Sequence, residues 1–115
     1  MEDQPETFEL PEWLTEACPS WCDGDHRGQQ HADDRKHFAE HELVAVVAQD
    51  HVCGFVRGQA PPSYPDEMIV SVFRRVGEWE TWVAASTDHQ RVEVSLESAR
   101  RLYDALGRVL VTITD

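Results

Sequence analysis

Residues 68–106, MIVSVFRRVGEWETWVAASTDHQRVEVSLESARRLYDAL, change their hydrophobic period from 2 to 3.6 and so decide the fold class. In Met68–Val76, Met68, Val70 and Val72 fall on one side of an extended chain, with Ile69, Ser71 and Phe73 on the other, which predicts a strand. Gly77 marks a turn into a second strand over Glu80–Ala85. Ser86–Gln90 (STDHQ) reads as a hairpin turn into a third, Arg91–Val94. Trp79 and Trp82 stand three apart, so one belongs to the core and the other to the surface. Ser95 offers the short hydroxyl of a helix N-cap. After it, Leu96, Ala99, Leu102, Tyr103 and Leu106 recur at helical spacing, while Glu97, Arg100, Arg101, Asp104 and Arg108 take the opposite face. Two readings of the helix end stay open. In the one favoured by the β-branched tail, Gly107 is the C′ residue and Val109, Val111 and Ile113 form a last strand. In the other, the helix continues to Leu110.

Toward the N-terminus, Leu43–Gln49 and His51–Val56 are further β-rich runs, with turn chemistry at Asp50 and Gly58. Cys53 packs as a small hydrophobe inside the second run, and His51 and His89 fall in solvated turns. Gly58–Glu67 (GQAPPSYPDE) is a Pro-rich loop; its Pro61-Pro62-Ser63-Tyr64 fits the pattern read by WW domains but reads as plain loop. The expected fold is α+β: a small, mainly antiparallel β-sheet of about four or five strands, one C-terminal helix packed across it, and an N-terminal zinc-knuckle-like segment. The expected organisation is an acidic arm over residues 1–17 and a single domain over 18–115. Within that domain, residues 18–42 form the Cys/His knuckle and 43–115 the sheet and helix.

Residues 18–42 are rich in Cys, His, Asp and Gly, poor in aliphatics, and show neither period. Such a segment buries little hydrocarbon and needs another source of order. Cys18-Pro-Ser-Trp-Cys22-Asp-Gly-Asp-His26, followed by His31, His37 and His41, supplies one. Zn²⁺ takes four tetrahedral soft or borderline ligands, and two Cys with two His form a closed structural set. Ligands this close in sequence wrap one ion at small loop-closure cost. The spacing predicts Cys18, Cys22 and His26 as three ligands. His37, just before Phe38 and the first strand, is the fourth, with His31 and His41 as alternates.

Other chemistries fit less well. Asp23 to Asp34 partly mimics a calcium-binding EF-hand loop, but Arg27 occupies a ligand position. A thiol redox pair favours two intervening residues at a helix start, and Cys18 and Cys22 have three between them. A catalytic zinc needs an open position and a general base; Asp25 and Glu40 are candidates that nothing singles out. No phosphate-binding glycine loop, Ser–His–Asp pattern or carboxylate dyad is visible, so no catalytic residue is assigned.

The Cys18-Pro-Ser-Trp-Cys22 opening, the histidine four residues on, the Asp-rich stretch, the histidine before a β-rich body and the Leu96-Glu-Ser-Ala-Arg-Arg-Leu helix resemble a family of small actinobacterial proteins of unknown function. Members carry a "CPxWC…H…H" opening, and a bias of nine Arg to one Lys is compatible with a GC-rich genome. The resemblance spans roughly residues 18–110 and implies a shared fold and a metal, with no activity attached. The acidic arm and His41 lie outside its pattern.

Charge narrows the function classes. The 115 residues carry a formal net charge of −12, and residues 1–42, with 12 acids and 3 bases, hold −9 of it. An acidic surface repels phosphate backbones and anionic lipid, so neither direct nucleic-acid binding nor membrane binding is expected. The Arg74–Arg75 pair is too small a basic spot to change that. The N-terminus lacks a basic start and an apolar run, and three cysteines argue against a disulfide framework, so the expected location is cytoplasmic. The leading expectation is a small acidic protein with a structural zinc, acting as a protein-interaction or regulatory module with a protein partner. A metal- or thiol-dependent enzyme and an acidic nucleic-acid mimic are the alternatives.

Overall fold

The computed structural model describes residues 9–49, 58 and 60–113. The second predicted run, His51–Val56, lies outside these residues, together with Cys53 and His51. The elements in chain order are a 3₁₀ turn at Ala32–Asp34, then β1 (Lys36–Phe38), β2 (Glu42–Gln49), β3 (Ser63–Arg75), β4 (Trp82–Ser86), β5 (Arg91–Ser95) and α1 (Leu96–Val111). The fold is α+β, with one mainly antiparallel five-stranded sheet and a C-terminal helix.

β3 is the organising strand. β4 pairs with its second half (Ile69 opposite Ser86 through Phe73 opposite Trp82), and β5 pairs with β4. On the other edge, β2 pairs with Val70 back to Ser63 and β1 with Phe73–Arg75, so these two short strands lie end to end along β3. Beyond Ile69 toward its N-terminus, β3 has β2 as its one partner among the described residues, which explains a strand where a Pro-rich loop is expected. Pro65 sits opposite Val47 in this two-stranded ribbon, where one edge needs no ladder donor and proline is tolerated. Tyr64 is therefore a strand residue, its ring 5.9 Å from that of His89.

Within the described residues, the fully buried apolar side chains are Phe73 and Ala84. Cross-strand register puts Phe38, Phe73, Trp82 and Ala84 on one face of the sheet, with the Phe38 and Phe73 rings 6.1 Å apart. Lys36 Nζ and the Arg75 guanidinium lie 5.1 and 5.5 Å from the Phe73 ring centre and cover the aromatic edge of this cluster. Trp79 stands outside the strands at 86% exposure while Trp82 is partly buried, dividing the pair as expected.

Two expectations about the helix need correction. Ser95 caps it, accepting from the Ser98 N–H at 3.2 Å, but Gly107 does not end it. The helix runs through Gly107 to Val111, so Val109 and Val111 are helical and not part of a last strand. Good helix formers on both sides, Leu106 and Arg108 to Leu110, outweigh the roughly 1 kcal/mol cost of an internal glycine. Nor does α1 pack across the sheet. It touches β4 and β5 alone among the described elements, and Leu102, Leu106, Val109 and Leu110 are more than half exposed. No helix among the described residues is long and apolar enough to cross a membrane.

Candidate metal centre

Local backbone bonds build the site. The Cys22 N–H donates to the Pro19 carbonyl at 3.0 Å, closing a turn that returns the second thiol toward the first. Gly24 takes a positive φ of 80°, a conformation costly for any side chain, and its N–H points back to Cys22 Sγ at 3.4 Å. Asp23 Oδ1 accepts from the Asp25 N–H at 2.9 Å, which tightens the same loop. The Asp23 N–H reaches the Phe38 carbonyl at 2.7 Å and ties the loop to the end of β1. β1 is the segment where an irregular knuckle is expected; three residues are too short to display a period. It matters because His37 sits on it, opposite Arg74.

The ligand atoms of Cys18, Cys22, His26 and His37 all lie within 4.8 Å of one another. His26 and His37 are buried and both cysteines are free thiols. His26 Nε2 stands 3.4 Å from Cys18 Sγ and 3.8 Å from Cys22 Sγ. The two histidine rings meet edge to face at 5.3 Å. His31 is outside the group: its side chain is exposed and its Nδ1 accepts from the Asp33 N–H, capping the 3₁₀ turn. His41 is exposed ahead of β2. Neither Asp25, which forks onto Arg27 at 2.9 and 3.0 Å, nor the exposed Glu40 belongs to the cluster.

Two residues outside the sequence expectation complete the surroundings. Gln29, 7% exposed, receives the Lys36 N–H on Oε1 at 3.0 Å and donates from Nε2 to the Lys36 carbonyl at 3.1 Å. One backbone donor and one backbone acceptor thus fix which end of the amide is oxygen. That same Oε1 lies 3.0 Å from His26 Nδ1, so Nδ1 carries the proton and donates. His26 Nε2 is left as a lone pair facing both sulfurs, the arrangement of an oriented metal-ligating imidazole. The second residue is Glu16. Its Oε1 accepts from the Gly77 N–H at 2.5 Å, and its Oε2 is 3.4 Å from His37 Nε2.

His37 is 0% exposed, yet neither ring nitrogen makes a hydrogen bond. Burial lowers its pKa below the ordinary histidine value, partly opposed by the nearby Glu16 carboxylate. Burial also pushes the Cys18 thiol up to about 11, reinforced by Cys22 and the carboxylates of Glu16 and Asp23. The lowered pKa keeps His37 neutral with its lone pair free, and a cation among these donors would stabilise the thiolate that burial and neighbouring negative charge disfavour.

Residues just before Cys18 flank this group. The Trp13 ring stands edge-on to His26 at 5.7 Å, and the Arg35 guanidinium stacks 4.4 Å over the same indole. Arg74, half of the expected basic spot, instead lies over Trp21 at 5.7 Å. Trp13 and Glu16 thus both stand beside the cluster.

No curated protein matches the chain significantly, and no solved structure does. The family described as Domain of unknown function (DUF6907) matches residues 3–113, a span that includes the Cys/His cluster, the sheet and the helix. On this match the chain belongs to the DUF6907 family.

Proposed function

We propose that Cys18, Cys22, His26 and His37 hold one Zn²⁺ as a structural staple and that the protein is a non-catalytic interaction module built around it. The observation that carries the reading is the buried His37 ring, neither nitrogen hydrogen-bonded, inside a group of four soft or borderline donors. A buried imidazole without a hydrogen bond is costly unless something coordinates it. Zn²⁺ matches the donor set: two thiolates near 2.3 Å and two imidazoles near 2.0–2.1 Å close a tetrahedron. Gln29 holds His26 in the tautomer that presents Nε2. The Glu16 carboxylate stands 3.4 Å from His37 Nε2 without a hydrogen bond to it, and adds negative charge beside the ion.

Four protein donors leave no position for a substrate or an activated water, which favours a structural over a catalytic role. The small apolar core argues the same way: with Phe73 and Ala84 the fully buried apolar side chains described, an ion adds to the order that local hydrogen bonds give residues 18–38. The interaction role is supported by the acidic N-terminal third and by Trp79, an exposed ring of the kind that anchors protein contacts.

Protein isolated without added metal under reducing conditions is expected to contain one zinc per chain. Cys22→Ser is expected to lose it, and the thermal midpoint should fall by several degrees. Metal-free protein with an unchanged midpoint refutes the staple. An immobilised protein that captures a partner equally well with Trp79→Ala refutes the part given to Trp79.

A further inference from the structure

Along α1 and just past its end, Leu96, Ala99, Tyr103, Leu106, Leu110 and Ile113 recur at alternating intervals of three and four, the spacing of a helix–helix seam. Leu102 and Val109 widen this stripe on one side into the broader face that a bundle helix buries. Yet from Leu106 to Ile113 every residue is exposed, and Leu102, Tyr103, Leu106, Val109, Leu110 and Ile113 are 52–78% exposed. At about 200 Å² for a large side chain, these six leave roughly 700 Å² of contiguous surface in water. That exceeds the few hundred Å² typical of monomers and approaches the ~800 Å² each partner contributes to a stable interface.

We propose that α1 is a two-fold interface and that its occupant is α1 of a second copy of this chain. The stripe can serve both sides of a symmetric contact, so a two-fold axis closes the assembly without a second patch. Two such stripes together reach the area of a standard-size interface. Charge permits it: Glu97, Arg101, Asp104 and Arg108 lie on the opposite face, so the seam buries none of them. No residue of the Cys/His cluster lies on this seam, so the interface is independent of the zinc site.

Sedimentation equilibrium of the full chain, over about 1 to 100 μM, tests it. The expected mass rises with concentration from 13.1 kDa to twice that value. Leu106→Glu is expected to raise the dissociation midpoint at least tenfold, because a carboxylate is then buried in the seam. The same variant should keep its far-ultraviolet circular dichroism, since Leu106 is already more than half exposed within the chain. Tyr103→Lys, at the most exposed position of the stripe, is the second seam variant, and Val47→Glu, on β2 and 78% exposed, is the control. A wild-type chain that stays at 13.1 kDa throughout overturns the proposal. So does a dimer that ignores both seam variants, or one that Val47→Glu disrupts equally.

Discussion

Replacing Gln29 by alanine tests how the site is organised without touching a ligand. The substitution removes three hydrogen bonds: from the Lys36 N–H and His26 Nδ1–H to Oε1, and from Nε2 to the Lys36 carbonyl. Each is worth about 1 kcal/mol net, and a buried group left unpaired costs up to about 3. Water reaches the partly exposed Lys36 more easily than His26, which is 4% exposed. The metal-free protein is therefore expected to lose about 2–4 kcal/mol in urea unfolding. Affinity falls separately, because the freed imidazole no longer holds one tautomer. Loss of an outer partner of this kind costs about 10–100-fold, read by competition against a chromophoric chelator. Gln29→Glu keeps the acceptor for His26 Nδ1–H but cannot donate to the Lys36 carbonyl, so it should recover much of the affinity and little of the stability. Wild-type stability and affinity in Gln29→Ala, within about 0.5 kcal/mol, would refute this account of His26.

Other expectations follow from single features. Phe73→Ala should cost about 3–5 kcal/mol in unfolding free energy, the largest effect of any apolar truncation here, because Phe73 is the one large apolar side chain described as fully buried. Gly107→Ala should raise stability by about 0.5–1 kcal/mol: the position is helical and an added Cβ meets no atom within 4 Å. His37 has a lowered pKa in the folded protein, so the unfolded chain takes up its proton first, near pH 6.5. Stability of metal-free protein should then be full above that pH and decline as pH falls through it, and a urea midpoint that rises on acidification contradicts this. Zinc binding at neutral pH should release at least one proton per ion, from the Cys18 thiol held near 11; a weakly buffered titration with indicator dye measures it.

How much was legible before the structure depended on how local each signal is. Cys18, Cys22 and His26 are separated by three residues each, so one loop brings them together and their spacing announces it. His37 could be ranked above His31 and His41 from its place ahead of a strand-like run, although the reason proves to be that it lies on β1 itself. Gln29 and Glu16 carried no such signal. Their partners are the backbone of Lys36 and Gly77, which the fold alone brings within reach. Pro65 hid the first half of β3, because whether a strand tolerates proline depends on which edges are paired. Gly107 and the β-branched tail argued for an earlier stop, yet α1 continues. The apolar stripe of α1 argued for packing across the sheet, but a stripe does not name its partner, and the sheet is not it.

X-ray absorption at the zinc edge, on protein carrying one ion per chain, tests the central claim most directly. The account predicts a first shell of two sulfurs near 2.3 Å and two nitrogens near 2.0–2.1 Å, with the sulfur contribution halved in Cys22→Ser that is reloaded with zinc. A shell of light atoms alone, four sulfurs, or a fifth ligand from solvent would contradict a closed centre made by Cys18, Cys22, His26 and His37.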